Sequence, residues 1–160
     1  MNGCIFVFVT IGIPASGKST FADHFSLKHN LCVISTDDIR IRKYGNLFNN
    51  KIRQGTLEEM IRQAKIAAES GVGFILDTTF LNKRCDRIDI IKRIRDFDIP
   101  MRIVAVIFDV PIEECMRRNA NRIEMKKVPD EVIKYHFEAL EIPSSLEPGI
   151  DEIINGVSYE

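Results

Sequence analysis

The chain has 160 residues, of which 45% are hydrophobic and 28% charged, the usual balance of a globular protein with a core of its own. A formal net charge of −1 excludes a basic field over the whole molecule, so any nucleic-acid binding must come from a local patch. Four cysteines lie far apart without a C-x-x-C pair, which argues against a zinc site or disulfide scaffold and predicts a reduced, cytoplasmic protein. The N-terminal apolar run is too short to span a bilayer, so we expect no membrane association.

Two predicted elements flank a glycine-rich motif. Residues 4–11 are almost wholly apolar and rich in β-branched and aromatic side chains, which predicts a buried parallel strand. Residues 20–29 place apolar side chains at near-helical spacing, which predicts a helix. Between them, residues 12–19 read Gly-Ile-Pro-Ala-Ser-Gly-Lys-Ser and fit the phosphate-loop pattern G-x-x-x-x-G-K-[ST]. A strand before the pattern and a helix after it distinguish a phosphate loop from a chance match.

This motif predicts that the chain binds ATP with Mg²⁺. Its glycines let backbone N–H groups turn toward an anion, and the following helix adds the partial positive charge of its N-terminus. We expect Lys18 to reach the β- and γ-phosphates and Ser19 to be a ligand of Mg²⁺. The predicted nucleotide-binding residues of the loop are Gly12, Pro14, Ala15, Ser16, Gly17, Lys18, Ser19 and Thr20.

Beyond the motif, predicted strands alternate with predicted helices. The strands cover residues 31–35, 72–76, 102–108 and 150–154, and the helices cover residues 56–69, 82–97, 111–121 and 128–140. This alternation predicts an α/β fold with five parallel strands and helices on both faces. No repeat, low-complexity segment or linker interrupts the pattern, so we expect a single domain over residues 1–160.

Two details of this prediction concern helix boundaries and faces. Residues 39–55 are mixed in character, and Gly45, Asn46, Asn49 and Asn50 favour turns there. The next helix is predicted to begin with a capping box formed by Thr56 and Glu59. In the helix over residues 82–97, the spacing directs Ile88, Ile91 and Ile94 inward and the basic residues outward.

Acidic residues follow the second and third predicted strands, at the sheet edge where parallel α/β proteins bind ligands. Asp37 is placed to accept the proton of an attacking hydroxyl, and Arg40 to hold an anionic group of the acceptor. The alternative is helix capping, and we expect one of Asp37 and Asp38 to cap while the other acts. Asp77 either supports Mg²⁺ or caps the next turn.

Two clusters of cations stand outside the motif. Arg117, Arg118 and Arg122 surround the end of the helix after the fourth strand. They can close over the nucleotide as a lid, stabilise the helix C-terminus, or do both. Residues 40–53 contain five cations interleaved with aromatic residues and no acid, which is typical either of a single-stranded nucleic-acid site or of a solvated basic face.

Several groups of residues, in chain order, carry a family resemblance: Gly12-Ile-Pro-Ala-Ser-Gly-Lys-Ser-Thr20, Asp37-Asp-Ile-Arg40, Asp77-Thr78-Thr79, Phe108-Asp-Val-Pro111, Arg118-Asn119, Arg122 and Val128-Pro129. With them, the sequence resembles the kinase domain of bacteriophage polynucleotide 5′-kinase/3′-phosphatase and its phosphate-loop relatives, among them zeta-toxin-like kinases. The matches cover nearly the whole chain. The resemblance implies a three-layer P-loop kinase fold with an Arg-bearing helical lid.

The resemblance also implies roles for individual residues. Asp37 would be the general base toward a 5′-hydroxyl, and Arg40 would grip a phosphate of the acceptor. Arg122, with Arg118, would contact the phosphates of the donor from the lid. Asp77 and Thr78 would belong to the acceptor side, with Asp77 also near the metal. The sequence has no D-x-D-G-T motif, so we expect the phosphatase half of the bifunctional enzyme to be missing.

Three functions follow as hypotheses. The first is a kinase that uses ATP or another nucleoside triphosphate and Mg²⁺ to phosphorylate the 5′-OH of a polynucleotide. The second is a kinase of a small hydroxylated acceptor, such as a metabolite or a sugar nucleotide. The third is a nucleotide-binding switch. The guanine-specificity motif N-K-x-D is absent, since Asn82-Lys83 is followed by Arg84-Cys85, which argues against a GTPase switch.

Overall fold

A parallel sheet forms the centre of the structure, a computed structural model that describes residues 3–45, 50–144 and 147–156. Its strands are β1 (Ile5–Ile11), β2 (Cys32–Ser35), β3 (Phe74–Asp77), β4 (Met101–Ile107) and β5 (Glu152–Asn155). They lie side by side in the order β2-β3-β1-β4-β5, and every neighbouring pair is parallel. The predicted α/β fold with five parallel strands is confirmed. The carboxyl ends of β1, β2 and β3 therefore meet at one edge.

Six helices connect these strands in the described part of the chain. They are α1 (Lys18–His29), α2 (Thr36–Tyr44), α3 (Arg53–Glu69), α4 (Arg84–Arg95), α5 (Ile112–Ala120) and α6 (Asp130–Ala139). A short 3₁₀ turn, Asn50–Ile52, directly precedes α3. Among the described helices, none combines the length and apolar character that a membrane crossing requires.

The sheet is covered on both faces, which explains why its central strands are apolar at successive positions. On one face, alternate β1 residues such as Val7 and Val9 pack with Met60 of α3 and Ile91 of α4. On the other face, Phe8 packs with Phe21 of α1. A third, smaller cluster lies under the phosphate loop and consists of Ile13, Ala15, Cys115 and Ile133. The loop is thus supported from below by α5 and α6.

The mixed stretch 39–55 is mostly helical in its described part, although Gly45 ends α2 in the left-handed conformation that a turn residue favours. Helix α2 extends to Tyr44, and α3 begins at Arg53 rather than residue 56. Thr56 is therefore no cap: its hydroxyl lies inside α3 and donates to Ile52 O at 2.7 Å. Burial of Leu57 in the core outweighs the weak helix propensity of Gly55, the one glycine inside α3. Asn46 and Asn49 lie outside the described residues.

The inward face of α4 also differs from the prediction. Ile91 and Ile94 are buried as expected, but Ile88 is only half-buried and Ile90 takes its place in the core. The outward position predicted for every basic residue is wrong at Arg87, which is fully buried. Its guanidinium is tolerated there because it pairs with the buried carboxylate of Glu147, Nε donating to Oε2 at 2.8 Å.

Candidate active site

The phosphate loop connects the end of β1 to the start of α1, as predicted. Gly17 is the N-cap of α1 and has a φ of 101°, which glycine adopts without strain. Gly12 is required for space, because a Cβ there would lie 2.6 Å from Ser16 Oγ and 2.9 Å from Phe108 Cβ. The first backbone N–H groups of α1 therefore face the cleft, where they can bind a phosphate.

Lys18 is held on the loop itself. Its Nζ donates to Gly12 O and Ile13 O, both at 2.8 Å, and only 6% of the residue is exposed. Burial lowers the pKa of Lys18 to about 8, although the carboxylates of Asp77 and Asp37 oppose this shift. These two bonds use two of the three N–H donors of the ammonium.

Ser19 and Asp77 meet at the same edge of the sheet. The Ser19 hydroxyl donates to Asp77 Oδ2 at 2.7 Å. Burial raises the pKa of Asp77, while the hydrogen bond from Ser19 and the nearby ammonium of Lys18 lower it. These oxygen donors suit Mg²⁺. Among the described residues, no three His, Cys, Asp or Glu side chains could hold a metal by themselves, so Mg²⁺ here would need phosphate and water oxygens as well.

The start of α2 forms the acceptor side of the candidate site. Asp37 is exposed, and its Oδ1 lies 3.5 Å from Nη1 of Arg40 one turn later, so the two side chains share a face as predicted. The expectation that Asp37 or Asp38 caps the helix is wrong. The cap is Ser35, whose hydroxyl accepts from the Asp38 N–H at 3.3 Å. Both aspartates are therefore available at the positive end of α2.

Thr78 is buried beneath this surface and is engaged within the protein. Its hydroxyl lies 3.0 Å from the hydroxyl of Thr36 and also accepts from the Phe80 N–H at 3.0 Å. Thr78 thus joins the end of β3 to the start of α2. This geometry favours a supporting role for Thr78 over direct contact with a ligand.

Phe80 brings together the two ends of the basic stretch. The guanidinium carbons of Arg40 and Arg53 lie 5.2 Å and 4.7 Å from its ring centroid, within the range of cation–π contacts. Arg53 also forms an ion pair with Asp86 at 3.1 Å. Nε of Arg40 is buried and has no hydrogen-bond partner within the part of the chain that is described. Burial lowers the pKa of Arg40, and the charge of Arg53 lowers it further, while Asp37 raises it.

Arg117, Arg118 and Arg122, the predicted lid arginines, line a cleft together with the phosphate loop. A cleft of about 450 Å³ is lined by Ala15, Gly17, Ser19, Thr20, Arg117, Arg118 and Arg122. Glu114 accepts hydrogen bonds from Arg117 and Arg118, which hold its pKa at about 2. The proposed lid residues and the loop thus face one cavity of nucleotide size.

The side chain of Asn119 joins the two ends of the segment that contains Arg122. Its Nδ2 donates to Val128 O at 2.7 Å, and its Oδ1 accepts from Val128 N–H at 3.0 Å. These two bonds fasten α5 to the chain just before α6. Within the segment, Arg122 Nη1 donates to Lys126 O at 3.3 Å.

Two residues near the loop were missed from the sequence. Asn82 binds both backbone groups of Gly12: its Oδ1 accepts from N–H at 3.0 Å and its Nδ2 donates to O at 2.8 Å. His136 of α6 is partly buried on this side of the protein, and burial lowers its pKa to about 4, with the charges of Lys18 and Arg40 contributing. Neither residue lies in a motif, and Asn82 was predicted only as the first residue of a helix.

Comparison with known proteins supports this fold. The sequence model of a family described as an AAA domain matches residues 7–143. The chain is similar to a structure of the Pnkp1/Rnl/Hen1 RNA repair complex, with a TM-score of 0.74, 24% sequence identity, and coverage of 86% of this chain and 44% of that chain. It is also similar to a fungal RNA kinase, with a TM-score of 0.69, 16% identity, and coverage of 98% and 76%. No curated protein matches the sequence.

A third similar structure is the Mycobacterium tuberculosis APS kinase CysC in complex with AMPPNP and APS, with a TM-score of 0.62, 18% identity, and coverage of 95% of this chain and 88% of that chain. The present chain spans less than half of the RNA-repair chain. Because the family model covers most of the sequence and the sheet matches these structures, the chain belongs to the AAA domain family and has the P-loop kinase fold.

Proposed function

We propose that this chain is a kinase that transfers the γ-phosphate of ATP to a hydroxyl, with the 5′-OH end of a polynucleotide as its acceptor. The observation that carries the proposal is the position of Asp37 and Arg40 at the same sheet edge as Lys18 and the Ser19–Asp77 pair. A donor site and an acceptor site on one edge are what in-line phosphoryl transfer needs.

On the donor side, the loop N–H groups bind the phosphates, and Lys18 donates to the β- and γ-phosphates. Ser19 and Asp77 hold Mg²⁺, which would neutralise charge on the phosphate oxygens. Arg118 and Arg122 approach from the lid and stabilise the charge of the transferring group. Support for this arrangement comes from the shared cleft that joins these arginines to Ser19 and Thr20.

On the acceptor side, the oxygen of the attacking hydroxyl bonds to the γ-phosphorus while ADP leaves. Asp37 accepts the proton that this hydroxyl loses. Its exposure supports this role, because an incoming hydroxyl can reach the carboxylate directly. Arg40 holds the phosphate next to the reacting sugar. The buried, unpartnered Nε of Arg40 supports this assignment, since a bound phosphate oxygen would satisfy the guanidinium.

Arg53 supports a polynucleotide acceptor. It lies with Arg40 over Phe80, so two guanidinium groups converge where successive phosphates of a strand could bind. The similarity to a protein described as a fungal RNA kinase agrees with this choice.

One observation favours the second candidate, a small hydroxylated acceptor. Among the described residues of the basic stretch, Arg42 and Lys43 line a cleft with Ile39, Glu59 and Gln63, between α2 and α3. Arg40 and Arg53 lie over Phe80 instead, so the described cations of this stretch are divided between two places. The similar APS kinase, which is described in complex with APS, has a small acceptor.

The test is to incubate the protein with γ-labelled ATP and three sets of acceptors: 5′-OH oligonucleotides of DNA and RNA, a panel of hydroxylated metabolites and sugar nucleotides, and no acceptor. We expect label on the oligonucleotides, and no label with the Lys18→Ala variant. Label on a metabolite and on no oligonucleotide would show that the acceptor is a small molecule and not a polynucleotide. Binding of ATP without transfer to any acceptor would contradict the kinase proposal.

A further inference from the structure

The segment between α5 and α6 contains Arg122 and is held by little apolar packing. Residues 123–126 are all exposed, and the apolar residues Ile123 and Met125 are 66% and 63% exposed. Regions with few buried apolar contacts open locally at low cost in free energy. The conformation of this segment therefore depends mainly on its hydrogen bonds.

Asn119 makes hydrogen bonds to both ends of the segment. Its side chain binds the far end, where Nδ2 donates to Val128 O at 2.7 Å and Oδ1 accepts from the Val128 N–H at 3.0 Å. Its backbone binds the near end, where the carbonyl oxygen accepts from the Arg122 N–H at 3.1 Å. One buried residue therefore connects the backbone of Arg122 to the backbone of Val128.

Two further contacts within the segment lie at the surface. Arg122 Nη1 donates to Lys126 O at 3.3 Å, and Lys127 Nζ forms an ion pair with Glu124 Oε1 at 3.0 Å. Exposed ion pairs contribute little to stability. The side-chain amide of Asn119 is different, because a buried polar group that loses its partner costs free energy.

The bonds between Asn119 and Val128 also tie the segment to the phosphate loop. Val128 is half-buried and packs against the third hydrophobic cluster, which lies under the loop. Asn119 stands one turn after Cys115, a buried member of that cluster, on the same helix. The segment is therefore held relative to the loop as well as relative to α5.

Arg122 faces the loop from this segment. It lines the cleft of about 450 Å³ together with Ser19 and Thr20, and its charge contributes to the lowered pKa of Lys18. The place of its backbone decides which atoms in the cleft the guanidinium can reach. A misplacement of about 1 Å in a group that positions a substrate can cost about 10²-fold in rate.

We propose that Asn119 is a positioning residue for Arg122: by joining the two ends of the segment, it holds the guanidinium of Arg122 toward the donor phosphates. Asn119 acts through Arg122 and not on the nucleotide itself. This inference rests on the proposed function, in which Arg122 stabilises the charge of the transferring group.

The experiment is a double-mutant cycle between Asn119 and Arg122 in the full chain. Asn119→Ala, Arg122→Ala and the double variant are compared with the wild type in two measurements. The first is kcat for transfer from γ-labelled ATP to a 5′-OH oligonucleotide, and the second is the Kd of ATP by isothermal titration calorimetry. Asn119→Asp is a milder variant, which keeps the acceptor for the Val128 N–H but loses the donor to Val128 O.

Asn121→Ala is the matched control. It removes an exposed hydrogen bond of 3.1 Å, from Asn121 Nδ2 to Arg117 O, at the same end of α5. We expect kcat to fall about tenfold in Asn119→Ala and about threefold or more in Asn119→Asp, the scale of one or two lost hydrogen bonds. The control should stay within about twofold of the wild type.

In the Arg122→Ala background, Asn119→Ala should lower kcat by no more than about a further twofold, because its effect passes through the missing guanidinium. The Kd of ATP should rise in each single variant and rise no further in the double variant. An equal loss of kcat in both backgrounds would indicate a merely structural role and would overturn the proposal. Wild-type kcat in a folded Asn119 variant, or an equal loss in Asn121→Ala, would overturn it as well. If the wild type binds ATP but transfers no label, the proposed function fails, and the Kd values then decide the role of Asn119.

Discussion

On the donor side of the candidate site, Lys18 and Asp77 are 6% and 7% exposed, whereas the Asp37 side chain on the acceptor side is 61% exposed. The donor residues are also bound to backbone or to each other at 2.7 to 2.8 Å, while Asp37 and Arg40 lie 3.5 Å apart. Lys18 and Asp77 are therefore part of the core, whereas the carboxylate of Asp37 lies at the surface. We expect substitutions of Asp37 to disturb the fold less than substitutions of Lys18 or Asp77.

The largest effect is expected on the donor side. Lys18→Ala removes the charge that would stabilise the γ-phosphate in the transition state, so transfer to any acceptor should be abolished. Circular dichroism and thermal melting check that the variant is folded. Near-normal turnover in a folded variant would reject the assignment of the phosphate loop as the donor site.

Substitutions of Arg122 test whether this arginine closes over the donor phosphates. If it contacts the transferring phosphate, Arg122→Ala should lose about 10³-fold in kcat, the lower end of the range for a transition-state arginine. Arg122→Lys should recover little, because an ammonium lacks the planar fork of the guanidinium. Steady-state rates of both variants decide this. A loss of less than about threefold in kcat is the size of effect expected for an exposed ion pair. It would mean that Arg122 only stabilises the end of α5.

Asp37 and its neighbour provide a matched pair on the acceptor side. Asp37→Asn keeps the shape but removes the proton acceptor, so kcat should fall by about 10²-fold or more while the Kd of ATP stays unchanged. Asp38→Asn makes the same chemical change one residue away and should cost little, because Ser35 caps α2 without either carboxylate. If Asp38→Asn is the inactive variant, the base has been assigned to the wrong residue.

The smallest effect is expected at Arg53. If Arg53 contacts a strand phosphate, Arg53→Ala should raise the KM of a single-stranded oligonucleotide a few-fold and reduce the slope of log affinity against log salt by about 0.7. Arg42→Ala, which removes the same charge from the cleft between α2 and α3, is the control and should leave the slope unchanged. An equal reduction in both variants would indicate a general charge effect instead of a phosphate contact.

Features that depend on residues close together in the chain could be predicted from the sequence. The strands follow from continuous apolar runs, and the phosphate loop follows from one motif between a strand and a helix. The sequence also singled out Arg117, Arg118 and Arg122, which line one cleft with the phosphate loop, because they lie near a predicted helix end. Asp37 and Arg40 share a face for the same reason, being three residues apart.

The contacts that the sequence did not reveal join distant parts of the chain. Asn82 and Gly12 are 70 residues apart, and Arg87 and Glu147 are 60 apart. Arg87 follows the pattern of a solvated basic face, and its position inside the protein depends on the buried carboxylate of Glu147 and on backbone carbonyls that accept from its guanidinium. The start of α3 was missed for a related reason, since tertiary packing at Ile39 and Leu57 decides where the helices lie.

The most direct measurement compares two oligonucleotides of identical sequence, one with a 5′-OH and one with a 5′-phosphate, as acceptors of label from γ-labelled ATP, in wild-type protein and in Asp37→Asn. We expect label only on the 5′-OH strand, located at its 5′ end, and a reduction of about 10²-fold or more in the variant. Label on both strands, or equal rates in the two proteins, would contradict the assignment of Asp37 as the base toward a terminal 5′-hydroxyl.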